Sequence, residues 1–226
     1  MNYNSFMIEI YHEIADYVLC VKPKGVISEE NGMVSLLSEQ LGSPVFPVHR
    51  LDKEAAGLMV YAKNKETAAF FSRQIQNNEF HKTYLAVIEE NPSLKAEDTL
   101  EDFLYHDKAR NKTYVVKKER KGVKKAVLNY QIVCTQEHLS LVHIDLITGR
   151  THQIRVQMAH AGHPLLGDSK YGVEKANRRF GENRQLLWSY RLTFAFESDA
   201  GPLEYLNGRS FQVKCVPFAA KYFADS

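Results

Sequence analysis

Short apolar runs, several of them bounded by glycine or proline, limit this chain more than any other feature. Tyr17-Val18-Leu19-Cys20-Val21 is strand-like and ends at Lys22-Pro23-Lys24-Gly25, where proline then glycine reads as a turn. Leu58-Met59-Val60-Tyr61-Ala62 is a second compact run. Lys82 to Ile88 is rich in strand formers, and a period of two places Lys82, Tyr84, Ala86 and Ile88 on one face. Leu139 to Ile147, Leu186 to Phe196 and Phe211 to Val216 are the remaining strand candidates. Helical signals are fewer. Ser35 to Leu41 is a short helix ended by Gly42-Ser43-Pro44, and Asn64 can cap a helix with Ala68, Phe71 and Ile75 on its apolar face. Thr151 is the expected N-cap of a third, in which Ile154, Met158 and Ala161 share a face and Gly162 and Pro164 mark the end. Strands outnumber helices without regular βαβ alternation. The expected class is therefore α+β, with a mixed, mainly antiparallel sheet and flanking helices. Glu89 to Glu101, which contains Pro92, reads as a loop, and a hairpin is expected to turn at Lys121-Gly122.

With 226 residues and neither repeats nor a low-complexity linker, the chain is expected to form a single domain over residues 1–226. That length can bury a sizeable core without staples. Cys20, Cys134 and Cys215 are odd in number and form no CxxC pair, so reduced thiols are the simpler reading than disulfides or zinc. Met1 to Ile10 lacks the basic and apolar regions of a secretory signal, and no apolar stretch approaches about 18 residues. A cytoplasmic chain without a membrane span is expected. The net charge of +2 is unevenly spread. Asp107 to Lys125 carries nine Lys or Arg against two acidic residues, a local +7 on a body left with −5. Such a block can steer a polyanion to one place.

Three local groupings could carry chemistry. They are His49-Arg50-Leu51-Asp52 followed by Gly57; the strand from Lys82 through Tyr84; and Thr148-Gly149-Arg150-Thr151-His152-Gln153-Ile154-Arg155-Val156, which runs on to Gly162-His163-Pro164 and Gly167-Asp168. Each alone has a plain structural reading: a surface salt bridge, a core tyrosine, or an anion nest at a helix start. His152, His160 and His163 match no zinc spacing and have no cysteine nearby, so no metal is expected.

In this order the groupings resemble the RluA family of RNA pseudouridine synthases. That family carries H-R-L-D-x-x-T-S-G-L, K-x-Y-x-A-x-V and T-G-R-x-H-Q-I-R-V-H motifs, followed by G-H-P-I-x-G-D. Asp16 to Gly25 also resembles its D-x-x-x-x-V-x-K-P-x-G opening, so the likeness extends from there to at least Tyr171. It implies a pseudouridine-synthase-like catalytic domain that isomerises specific uridines of structured rRNA or tRNA, without cofactor or metal, and as a monomer. It implies Asp52 as the catalytic carboxylate and Arg155 as the basic residue paired with it. Tyr84 would stack near the target base, and Arg50 would help hold the flipped nucleotide. The family's frequent N-terminal RNA-binding domain has no room before the first motif, so RNA selection is expected from the catalytic domain itself.

The residue types suit that chemistry. The reaction breaks the glycosidic bond, turns the base and rejoins it through carbon 5. An ionised carboxylate is needed, as nucleophile or as base on the ribose. A guanidinium beside it favours the charged form. Taking a base out of its stack costs a few kcal/mol and calls for an aromatic platform and an inserted side chain. For RNA backbone contact the candidates are Lys108, Arg110, Lys112, Lys117, Lys118, Arg120 and Lys121, beside Arg50; a solvated hairpin face is the plain reading.

Ala55-Ala56 stand where the family has Thr-Ser, Gln157 where it has His, and Trp188-Ser189-Tyr190 where it often has Leu-His-Ala. The alternative function is an inactive RNA-binding relative acting as a chaperone or assembly factor. An unrelated hydrolase ranks last, because no Gly-x-Ser-x-Gly elbow is present.

Overall fold

The structure, a computed structural model, describes residues 7–91, 93, 95–197 and 200–224. Contacts divide the chain into two compact units, Met1–His81 with Ser189–Val213 and Lys82–Trp188 with Lys214–Ser226.

The first unit opens with β1 (Glu9–Glu13), β2 (Tyr17–Lys22), α1 (Met33–Leu41), β3 (Phe46–Pro47), β4 (Ala56–Ala62) and α2 (Lys65–Gln76). β2 pairs antiparallel with both β1 and β4, and β3 adds to β4. Every residue of β4 is buried, as its uncharged Ala-Gly-Leu-Met-Val-Tyr-Ala run requires. Asn64 caps α2 as expected, its Oδ1 accepting from the Thr67 amide at 2.8 Å. The buried face differs: Thr67, Phe70, Phe71 and Gln74 are buried, whereas Ala68 and Ile75 are half-buried. The helix has rolled to bring two aromatic rings inward. Phe70 meets Phe196 edge-on at 5.3 Å, and Phe71 meets Phe194 at 5.8 Å. Rings of this size dominate core burial, so they set the roll.

β5 (Phe80–Glu89) passes from the first unit into the second. There follow β6 (Glu97–Asp107), β7 (Lys112–Val116), β8 (Val123–Gln136), β9 (Leu139–Leu146), α3 (Gln153–His160) and α4 (Glu174–Phe180). β9 lies between β5 and β8, and β6 between β8 and β7, all antiparallel. β10 (Leu187–Phe194) returns to the first unit, where β11 (Ser210–Gln212) pairs with it, and α5 (Pro217–Tyr222) follows. The expected α+β class, mainly antiparallel, holds.

Four sequence expectations change. Residues 97–101 belong to β6 rather than a loop, because pairing with β8 satisfies their backbone while Glu97, Thr99 and Glu101 face water; Pro92 lies outside the described residues. The turn at Lys121-Gly122 exists, with Gly122 at φ +85°, but it carries the chain from β7 to β8 across the width of β6. The hairpin is β6–β7, turning through residues 108–111 with Asn111 at φ +44°. Thr151 is not the N-cap of α3; His152 is, at φ +55° and without a side-chain cap bond. The last expected strand shrinks to β11, and proline starts α5 where a missing N–H costs nothing.

Candidate active site

The loop that carries Asp52 is held from both sides within the first unit. The Ser28 hydroxyl accepts from the Leu51 amide at 3.0 Å and donates to the Leu51 carbonyl at 2.9 Å. Tyr61 donates to the Ser28 carbonyl at 2.9 Å, fixing the serine in turn. On the other flank, the Lys53 carbonyl accepts from the Gly25 amide at 2.8 Å and from Lys22 Nζ at 3.1 Å. The Ala55 amide closes a turn on the Asp52 carbonyl at 3.0 Å. His49 Nε2 accepts from the Val60 amide at 3.1 Å, so the histidine of this motif anchors the loop to β4. Asp52 is half-buried between these anchors.

Lys22 has no solvent exposure, yet it donates to three carbonyls, those of Pro23, Val26 and Lys53. Burial drives its pKa down to about 8, against the pull of the Glu54, Asp52 and Glu29 carboxylates. Asp52 therefore sits in the field of a buried, loop-organising amine. Nothing in the sequence separates Ser28 from an ordinary loop serine. Lys22 was marked only by its place in the opening motif.

Gly57, which follows the loop, is at φ +116°, and a Cβ there would lie 2.3 Å from the Ser189 carbonyl oxygen. Two backbones meet at that point, so only glycine fits. Ser189 also donates to the Leu58 carbonyl at 2.9 Å. Ala55 and Ala56 are each 1% exposed. Both side chains are closed off from water, where a hydroxyl would need a partner to be tolerated. Arg50 is exposed and pairs with Glu29 at 3.2 Å.

In the second unit Tyr84 is buried on β5 opposite Ile144, on the face it shares with Lys82. Burial lowers the Lys82 pKa, and its amine lies near Gly149, where an added Cβ would be 3.5 Å away. Arg155 is 7% exposed on α3 and grips Asp168 with two bonds, Nε to Oδ2 at 2.7 Å and Nη2 to Oδ1 at 2.9 Å. Asp168 Oδ1 also accepts from the Lys170 and Tyr171 amides at 2.8 and 3.0 Å. Burial alone would raise the Asp168 carboxyl; the Arg155 bonds and charge and the two amides outweigh it and hold it below the usual carboxylate range. A fork-to-fork pair of this kind fixes the guanidinium plane.

α3 has no single apolar face. Gln153 through Met158 are all buried, while Ala161 is exposed. Gln153 accepts from the Arg150 amide and Thr148 hydroxyl, tying the Thr148–Arg150 turn to the helix start. Gln157, in the family's histidine position, is fully buried and donates to Asp102 at 2.8 Å and to the Leu100 carbonyl at 3.2 Å. It binds α3 to β6.

The basic segment is exposed at Lys108, Arg110, Lys117, Lys118, Arg120 and Lys121. Arg110 pairs loosely with Asp107 at 3.8 Å, and Arg120 lies over the Tyr105 ring at 5.6 Å. Among the described residues, Lys108, Lys117, Lys118 and Lys121 have no acidic partner. Lys112 is half-buried, over the rings of Tyr114 and Tyr171 at 5.8 and 5.5 Å. No described helix is long and apolar enough to cross a membrane.

Residues 16–160 match the family model described as RNA pseudouridylate synthase. An uncharacterized RNA pseudouridine synthase of Haemophilus influenzae is 34% identical, over 83% of this chain and 84% of its own length. A tRNA pseudouridine synthase C of Haemophilus ducreyi is 30% identical, over 83% and 85%. A ribosomal large subunit pseudouridine synthase D of Borreliella burgdorferi is 30% identical over 82% of this chain but 60% of its own length. The solved structure of human RNA pseudouridylate synthase domain containing 1 shares the fold, with a TM-score of 0.77 at 20% identity, over 96% of this chain and 87% of that one. The motifs, fold and relatives define an isomerase that converts uridine in RNA to pseudouridine. The chain belongs to the RNA pseudouridine synthase family.

Proposed function

We propose that the chain is a cytoplasmic, monomeric, single-domain synthase that modifies specific uridines of structured rRNA or tRNA, with Asp52 as its catalytic carboxylate. The observation that carries this reading is the pinning of the Asp52 loop through Ser28, Lys22 and Gly25, which fixes the backbone on both sides of that one carboxylate. Fixed geometry is what a reacting group needs, since misplacement by about 1 Å can cost a hundredfold in rate. Relatives named for tRNA and for the large ribosomal subunit support both substrate classes.

Asp52 acts on the ribose, as nucleophile or base. Tyr84 supplies an aromatic surface for the target base, Arg155 supplies the positive charge that the reaction calls for, and Arg50 holds the flipped nucleotide. The exposed lysines and arginines of the 108–121 segment bind RNA backbone, where phosphate contacts supply affinity more than sequence choice. No metal or cofactor takes part.

A pseudouridine map of total cellular RNA, with and without the gene, tests the reading. A site that vanishes, and returns with wild type but not with Asp52→Asn, establishes both activity and target. No missing site under any growth condition overturns it in favour of an RNA-binding relative.

A further inference from the structure

Residues 168–171 hold Arg155 and the basic hairpin at once. Asp168 grips the Arg155 guanidinium with both oxygens. Two residues on, Lys170 Nζ donates to the carbonyl of Asn111 at 2.6 Å, in the turn of the β6–β7 hairpin. At the next residue, the Tyr171 hydroxyl accepts from the Thr113 amide on β7 at 2.7 Å and bonds to His152 Nδ1 at 2.9 Å. Thr113 is buried; its hydroxyl donates to the Thr151 carbonyl at 2.8 Å and meets His106 Nδ1 at 3.1 Å. The Tyr171 ring lies under two cations, Arg155 at 5.1 Å and Lys112 at 5.5 Å. His152, the residue at which α3 begins, is held at φ +55°. A non-glycine residue keeps that conformation only where its surroundings fix it.

Tyr171 is thus the point where hairpin, helix start and guanidinium meet. The family role of Arg155 does not require such a hub, because Asp168 alone would orient the guanidinium. The hydroxyl instead ties that orientation to the position of β7. We propose that Tyr171 is a positioning residue that couples RNA bound on the basic hairpin to the setting of Arg155. The inference rests on the reading of the 108–121 segment as an RNA contact. RNA that pulls on Lys112 and its exposed neighbours moves β7, and through Thr113 and Tyr171 it tightens the start of α3. Binding then helps to order the guanidinium that acts in the reaction.

Hydrogen–deuterium exchange on the full chain, with and without unmodified bulk tRNA as probe, tests the coupling in wild type and Tyr171→Phe. The phenylalanine keeps the ring over which both cations lie and removes only the hydroxyl. In wild type, tRNA is expected to slow exchange in residues 97–116 and in 153–160. In Tyr171→Phe it should slow the first segment and leave the second unchanged. At saturating RNA the variant's single-turnover rate should fall about tenfold, the order expected for one or two lost hydrogen bonds, with Kd within about twofold. A purely structural role would lower the melting temperature without separating rate from Kd. Should Tyr171→Phe not fold, Lys170→Met cuts only the tie to Asn111 and should give a weaker form of the same separation. Equal slowing of 153–160 in variant and wild type, or none in a wild type whose hairpin is slowed, overturns the coupling. A wild-type hairpin that tRNA does not slow removes the RNA-contact reading itself, and the coupling falls with it.

Discussion

The Asp52 loop and the 108–121 segment treat charge and backbone in opposite ways. Around Asp52, a fully buried lysine gives its protons to three carbonyls, a serine clamps Leu51 on both backbone atoms, and glycine stands where two backbones meet. Along 108–121, four lysines stand in water without an acidic partner among the described residues. The first arrangement fixes one group at a cost in desolvation. The second keeps many charges available to a diffuse polyanion at little cost, because solvated lysines lose nothing until they bind. The proposed roles call for this difference: a reaction centre needs the former and a backbone-binding surface the latter.

The sharpest way to break the comparison is Asp52→Asn, which is nearly isosteric. Isomerisation should fall by on the order of a thousandfold or more, with RNA affinity within about twofold, as measured by single-turnover assay and filter binding. Retained turnover would remove Asp52 from the chemistry.

Next in size is a pair of glycine substitutions. Gly57→Ala drives a Cβ to 2.3 Å from the Ser189 carbonyl and should cost about 3 kcal/mol or more in denaturant unfolding. Gly122→Ala, also at positive φ, has its nearest neighbour at 3.8 Å and should cost only about 1 kcal/mol of backbone strain. Equal losses would mean that the two regions are equally tight.

Charge reversal at Lys117, Lys118 and Lys121 comes third. RNA affinity should drop at least about tenfold at low salt, and the slope of log affinity against log salt should flatten by about 2. Melting should hardly change, since these side chains are exposed and have no acidic partner among the described residues. An unchanged salt slope would return the segment to a solvated face.

The most gradual effect concerns pH. Native Lys22 loses its proton near 8, whereas in the unfolded chain it does so near 10.5. Between those values the unfolded state binds more protons, so this residue makes stability rise with pH from about 8 to 10.5, by at most roughly 1.4 kcal/mol per pH unit. Below that window the full cost of burying the charge is present. Lys22→Met should remove the rise, read as the difference between the two unfolding profiles over that range. Parallel profiles would show that Lys22 is not the buried charge described.

Much of this was legible in the letters. β2, β4, β5 and β9 stand where apolar runs put them, because strand burial follows local composition. Asn64 caps α2 because the bond it makes spans only three residues. Where contacts are remote, local reading gave way. The polar 97–101 stretch became strand because β8 lay alongside it, and the glycine turn at 122 joined strands separated by β6. Thr151 lost the cap position to His152, whose setting depends on Tyr171, nineteen residues on.

The sequence by itself determined the family, the strand-rich class and the residues around Asp52, since ordered motifs and side-chain period are written in the chain. Only the tertiary structure decided what holds the side chains within each unit: Lys22 and Ser28 against the Asp52 loop in the first, Asp168 against Arg155 and Tyr171 between helix and hairpin in the second. Hydrogen bonds between groups 13 to 58 residues apart leave no periodicity to read. Their partners become visible only when folding has removed the water that would otherwise serve both.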